Sequence, residues 1–117
     1  MELFPDELAA KLAALKGRLY SVERFLAGHK RLTILARPVG NSDPVYITFS
    51  GTKYMQMPSF WMDSPFALGT PDECRNLLEQ VGIEREGDYR LFYVQLPKSR
   101  VNIVCAFVEI SSEMPPY

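Results

Sequence analysis

Apolar residues recur in the first quarter of the chain at Leu8, Leu12, Leu15, Leu19, Val22 and Leu26. Their spacing alternates four and three, which places them on one stripe of a helix. Pro5 pre-sets φ for a first helical turn, and Asp6 and Glu7 suit the positive end of the helix dipole. Gly28 is a stop signal. The pattern predicts one long helix up to Leu26, bent or broken at Gly17.

The period then shortens to two. Leu32, Ile34 and Ala36 alternate with Arg31, Thr33, Leu35 and Arg37, and Pro38 ends the strand because it has no N–H for a ladder. Residues 39–44 read as a loop. Two further strands, Val45–Ser50 and Lys53–Met57, flank Gly51-Thr52. Glycine at the first central position suits a type II′ hairpin, with Phe49 opposite Tyr54 and Tyr46 opposite Met57. Residues 59–69, broken by Pro65 and preceded by Pro58, fit no regular element. Thr70-Pro71-Asp72-Glu73 is a capping-box start for a helix that carries Cys74, Leu77, Leu78 and Val81 and ends at Gly82. Residues 84–88 are a charged loop.

Tyr89–Leu96 and Val101–Ile110 form a predicted hairpin. Pairing aligns Phe92, Val94 and Leu96 with Val101, Ile103 and Cys105 on one face. Leu91, Tyr93, Val104, Ala106 and Val108 lie on the other, and strands apolar on both faces are covered on both. Ser111–Tyr117, with two consecutive prolines, is expected to leave the fold as an extended tail. The expected architecture is a single α+β domain over residues 1–117. It has an antiparallel or mixed sheet of about five strands and two helices, in the order α-β-β-β-α-β-β.

Composition narrows the function classes. The chain has 117 residues, 47% hydrophobic and 23% charged, with a formal net charge of −1. A domain of this size buries about two-thirds of its unfolded surface, so no metal or disulfide staple is needed. The near-zero charge argues against nucleic-acid and membrane-surface partners. Lys30, Arg31 and Arg37 are too small a basic group to change that. The first residues lack a basic region followed by an apolar run, so no secretory signal is expected, and a reducing cytoplasm is the expected compartment. Cys74 and Cys105 form no CxxC pair; a disulfide between them stays open, and two buried free thiols are the favoured reading.

Candidate chemistry is thin. His29 is the only histidine and sits at a junction where capping is its ordinary role. There is no GxSxG, GxGxxG or Walker A pattern and no paired metal-ligand spacing, so no cofactor is expected. Asp6, Glu7, Asp72 and Glu73 are accounted for as helix starts. Glu109 would become a candidate acid or base only if its strand end were buried.

One segment stands apart. Residues 54–66 hold Met55, Met57 and Met62, three of the five methionines, and the only tryptophan, Trp61, together with Tyr54, Phe60 and Phe66. Methionine adapts its shape and aromatic residues give large contact area, which suits a lid completing the core, a binding surface or a pocket wall. The leading expectation is a small non-enzymatic interaction module of adaptor, inhibitor or immunity type. It binds a protein partner or its own copy through Tyr46, Tyr54, Met55, Met57, Phe60, Trp61, Met62 and Phe66. The apolar stripe of the first helix offers a second route to self-association if the sheet does not consume it. The rival expectation is a small-molecule binder or simple enzyme with a pocket between sheet and helices, lined by Trp61, Phe66 and Tyr93, with Asp63 or Glu109 as the polar group.

Overall fold

A computed structural model describes residues 5–84 and 87–115. Arg85 and Glu86 of the expected charged loop, and Pro116 and Tyr117 of the expected tail, lie outside the described residues, as do the first four. In chain order the elements are α1 (Pro5–Ala13), β1 (Leu19–Leu26), a 3-10 turn (Ala27–His29), β2 (Arg31–Ala36), β3 (Val45–Ser50), β4 (Tyr54–Gln56), β5 (Phe60–Met62), β6 (Ala67–Leu68), α2 (Pro71–Gln80), β7 (Arg90–Gln95), β8 (Arg100–Cys105) and β9 (Phe107–Ser111). The strands make two antiparallel sheets, β5-β1-β2-β3-β9 and β4-β8-β7-β6. The class is α+β as expected, but with nine strands in two sheets among the described residues rather than about five in one.

The largest departure is the first helix, which stops at Ala13. Leu15 N–H and Lys16 N–H bond back to the carbonyls of Leu12 and Ala13, tightening the last turn. Gly17 then takes φ +88° and donates its N–H to the Asp63 carbonyl at 3.1 Å. The Tyr20 hydroxyl also donates to the Leu15 carbonyl, closing the turn from the other side. The predicted second half of the helix is β1. Tyr20, Val22 and Phe25 favour a pleated surface, and Tyr20 and Val22 pack into the main core. Pairing with β2 on one side and β5 on the other supplies the backbone bonds that the helix would have made. Leu8, Leu12 and Leu15 are buried in that core, so no apolar helix stripe remains for self-association.

The second departure is at Gly51-Thr52, where the expected hairpin does not form. β3 pairs with β2 and β9, which sets Phe49 opposite Val108 and Tyr46 opposite Ser111; β4 pairs with β8, which sets Tyr54 opposite Val104. The chain turns a corner instead of reversing. Gly51 has φ +64°, and a Cβ there would lie 3.0 Å from the Ala106 Cβ. Ala106 is the matching corner on the neighbouring strand, and its N–H donates to the Ser50 carbonyl at 3.1 Å. The expected single strand Val101–Ile110 is thus β8 and β9, bent at Ala106 from one sheet into the other. Val108, placed by simple alternation on the outer face, consequently lies in the main core.

Residues 59–69, expected to fit no regular element, form β5 and β6, and Ser111, expected to begin the tail, ends β9; the β7–β8 hairpin and the second helix follow their patterns. β7 and β8 pair from Arg90↔Cys105 to Gln95↔Arg100. Phe92, Val94, Val101, Ile103 and Cys105 face the core between the sheets. Leu91 and Val104 face the other way, under Cys74 and Leu78 of α2. The capping box of α2 is formed: Glu73 N–H donates to the Thr70 hydroxyl oxygen at 3.1 Å, and Thr70 N–H to Glu73 Oε1 at 3.0 Å. At its other end Gly82 N–H bonds to the Glu79 carbonyl and Ile83 N–H to that of Leu78, a Schellman closure. None of the helices among the described residues is long and apolar enough to cross a membrane.

Candidate functional site

Segment 54–66 runs from the edge of the four-stranded sheet, through β4, to the edge of the five-stranded sheet, where it forms β5. The period-two pleat of β5 sends neighbouring side chains to opposite faces. Trp61 is 4% exposed, whereas Phe60 is 64% and Met62 61% exposed. Trp61 stacks on Tyr20 with ring centroids 5.5 Å apart, meets Phe66 edge-on at 5.6 Å and donates its indole N–H to the Ser64 carbonyl at 3.1 Å. Phe66, 2% exposed, continues that cluster to Phe49. Trp61 and Phe66 are therefore the part of the candidate surface that the fold uses for itself.

The others divide four ways. Tyr54 is half-buried against the cluster under α2. Met55 and Met57 border an open apolar cleft of about 240 Å³ with Val22, Phe25 and Leu32, at the mouth between the two sheets. Tyr46 lies half-buried on β3, opposite Leu35. Phe60 and Met62 stand outermost, on an edge strand.

The backbone of that edge is oriented by its pairing. Ser59 accepts from Val22 N–H at 2.9 Å, and Asp63 donates to the Arg18 carbonyl at 3.0 Å. Bonded positions alternate along an antiparallel strand, so the main-chain groups of Phe60 and the N–H of Met62 point away from β1. The Met62 carbonyl accepts from Ser64 N–H at 2.8 Å. Pro58 and Pro65 bracket the strand on either side.

The residues of the rival reading are not brought together. Trp61 and Phe66 lie between the sheets, while Tyr93 lies beneath the Arg100 guanidinium, 4.2 Å from ring centroid to carbon. Asp63 is exposed, with φ +69°. Glu109 is exposed on β9, beside a cavity of about 420 Å³ that it shares with Arg31, Thr48, Glu113 and Pro115. That cavity is roofed by the C-terminal residues, whose Pro115 carbonyl accepts from the Arg24 guanidinium.

His29 is exposed in its turn. Cys74 and Cys105 are both buried and are not joined by a disulfide, and burial pushes the Cys105 thiol up to about 12, which makes it a poor nucleophile. Among the described residues no group of three or more potential ligands converges on a metal position. The polar cluster that pattern reading missed is on the helix-covered sheet: Arg100, Asn102 and Glu73. Asn102, 8% exposed, is a polar residue in a strand whose flanking positions are all buried apolar, and that break in the pattern was the available signal. No family model, curated protein or solved structure matches the chain.

Proposed function

We propose that this chain is a protein-interaction module and that its docking surface is β5, with a second copy of itself as the partner. The observation that carries the reading is the exposure of Phe60 and Met62 on a strand with a neighbour on one side only. A soluble domain rarely leaves two large apolar side chains on an open edge without use. A second copy fits because the edge is symmetric about Trp61. Set antiparallel across a two-fold axis, Phe60 faces Met62 of the other copy and Met62 faces its Phe60. The outward Met62 N–H of each copy meets the outward Phe60 carbonyl of the other, giving two symmetric bonds across the axis. The flanking prolines cannot extend the ladder, which pins this register and limits its length.

Sedimentation velocity over a concentration series tests the reading. Dimer is expected to grow with concentration in the parent chain. It is expected to fall at least tenfold in affinity in Phe60→Lys and Met62→Lys, with unchanged thermal unfolding of the monomer. A parent chain that stays monomeric into the hundreds of micromolar overturns self-association as its role, as does a dimer that survives both substitutions.

A further inference from the structure

The outer face of the four-stranded sheet is covered only in part by α2. Beside the helix lies a cavity of about 340 Å³, lined by Glu73, Asn76 and Gln80 from the helix and by Leu91, Arg100 and Asn102 from the sheet. Its volume is within the range of small-molecule sites, which runs from about 300 to 1,000 Å³. The polar groups around it are incompletely satisfied. The Arg100 guanidinium carbon lies 4.2 Å from the centre of the Tyr93 ring, a cation–π contact. Its Nε is buried with no hydrogen-bond partner among the described residues. Arg100 Nη2 forms a long, partly exposed ion pair with Glu73 Oε2 at 3.8 Å, which leaves Nε outside it. The Asn102 amide at the floor makes one long bond, 3.4 Å to Gln56 Oε1.

A buried donor left without an acceptor asks for an explanation. Arginine satisfies Nε together with Nη by side-on pairing with a carboxylate. Nε is buried as it stands, so such a pairing requires the guanidinium to turn from the Tyr93 ring toward the cavity. Glu73 is meanwhile held in place by the capping box, with Oε1 on Thr70 N–H. Its other oxygen is left facing Arg100. The lining therefore sets one positive and one negative group side by side among carboxamides, with no net charge between them. A lone anion meets repulsion from Glu73, and a lone cation from Arg100. A ligand with both charges on adjacent atoms matches both.

We propose that this cavity binds a small zwitterion with the head group of a free α-amino acid: its carboxylate pairs side-on with Arg100, its ammonium with Glu73, and the amides of Asn76 and Asn102 complete the hydrogen bonding. The site lies on a different face from β5 and does not depend on the self-association reading.

Proton–nitrogen correlation spectra of the full chain test this, with the Arg100 Nε–H and Asn102 amide signals as reporters. The probes are the free amino acids, their N-acetyl and methyl-ester derivatives, and acetate. At least one free amino acid is expected to shift both reporters saturably, and to lose at least tenfold in affinity on either acetylation or esterification. Arg100→Lys, which keeps the charge but not the fork, is expected to weaken binding at least tenfold, and Asn102→Asp to weaken it further by repelling the carboxylate. Unchanged core methyl signals in both variants separate these losses from unfolding. The proposal is overturned if no amino acid shifts the reporters at millimolar concentration, if acetate or the derivatives bind as well as the parent compounds, or if binding persists in both variants.

Discussion

The two sheets have very different outer faces. The outer face of β7 and β8 is dry where Leu91 and Val104 meet Cys74 and Leu78 of α2, and polar where the helix ends its cover at Arg100 and Asn102. The outer side of the five-stranded sheet has no helix packed on it among the described residues. Thr33 and Thr48 are nonetheless buried there and face one another, hydroxyl oxygens 3.5 Å apart, and Phe60 and Met62 stand exposed at its edge. A sheet face paired with a helix can afford to be apolar. A face without one buries Leu35 beside the threonine hydroxyls in its middle and exposes Phe60 and Met62 at the rim. The difference teaches that the interaction surface lies on a strand edge that no helix covers, and the small polar cavity where a helix covers its sheet incompletely.

The sharpest way to break this comparison is at β5, where adjacent residues are assigned opposite roles. Trp61→Ala is expected to cost about 3–5 kcal/mol in urea unfolding, because a large aromatic leaves the Tyr20–Phe66 cluster. Phe60→Ser, one residue away, is expected to stay within about 0.5 kcal/mol at concentrations where the chain is monomeric. Comparable losses at the two positions would mean that β5 is not an edge with one dry side.

Alkaline titration probes the core between the two sheets. The folded Cys105 thiol keeps its proton up to about 12, against an ordinary value of 9.0, because burial disfavours the thiolate. A raised folded value means that the stabilisation is complete below pH 9 and is lost as pH rises from there toward 12. The slope is of order 1 kcal/mol per pH unit. Tyr20, also raised by burial to about 12, adds to the upper end of the same limb. Unfolding midpoints are therefore expected to fall above pH 9, and Cys105→Ala to flatten the early part of that fall. An unchanged slope in the variant would show that the thiol is not sealed.

The smallest effect is at the helix start. Thr70→Ala is expected to cost about 1 kcal/mol by removing the cap. Hydrogen bonding with Thr70 holds the Glu73 carboxyl below the usual carboxylate range. A lowered folded value stabilises the fold above the ordinary carboxylate pKa and is lost as pH falls through the folded one. The variant should accordingly show a shallower acid limb in a pH series of thermal melts.

Much of the fold was legible from local chemistry. The capping box at Thr70 and the two-faced β7–β8 hairpin depend on residues close in sequence, and both form as their patterns indicate. In β5, by contrast, neither Pro58 nor Pro65 nor composition distinguishes Trp61 from Phe60, since alternation becomes readable only once a strand and its core side are known. The cavity at Arg100 and Asn102 was legible only as a polar interruption on β8, because its other wall comes from Glu73, nearly thirty residues earlier in the chain.

The sequence by itself determined the α+β class, both ends of α2 and which residues of β7 and β8 share a face, because those follow from dihedral preference and short-range periodicity. Tertiary structure decided the rest. Leu19–Leu26 became a strand because β2 and β5 satisfy its backbone on both sides. Gly51 became a corner rather than a hairpin because Ala106 approaches it from β8 and β9. Both choices turn on partners remote in the chain, and periodicity within a segment carries no information about which remote strand will meet its hydrogen bonds.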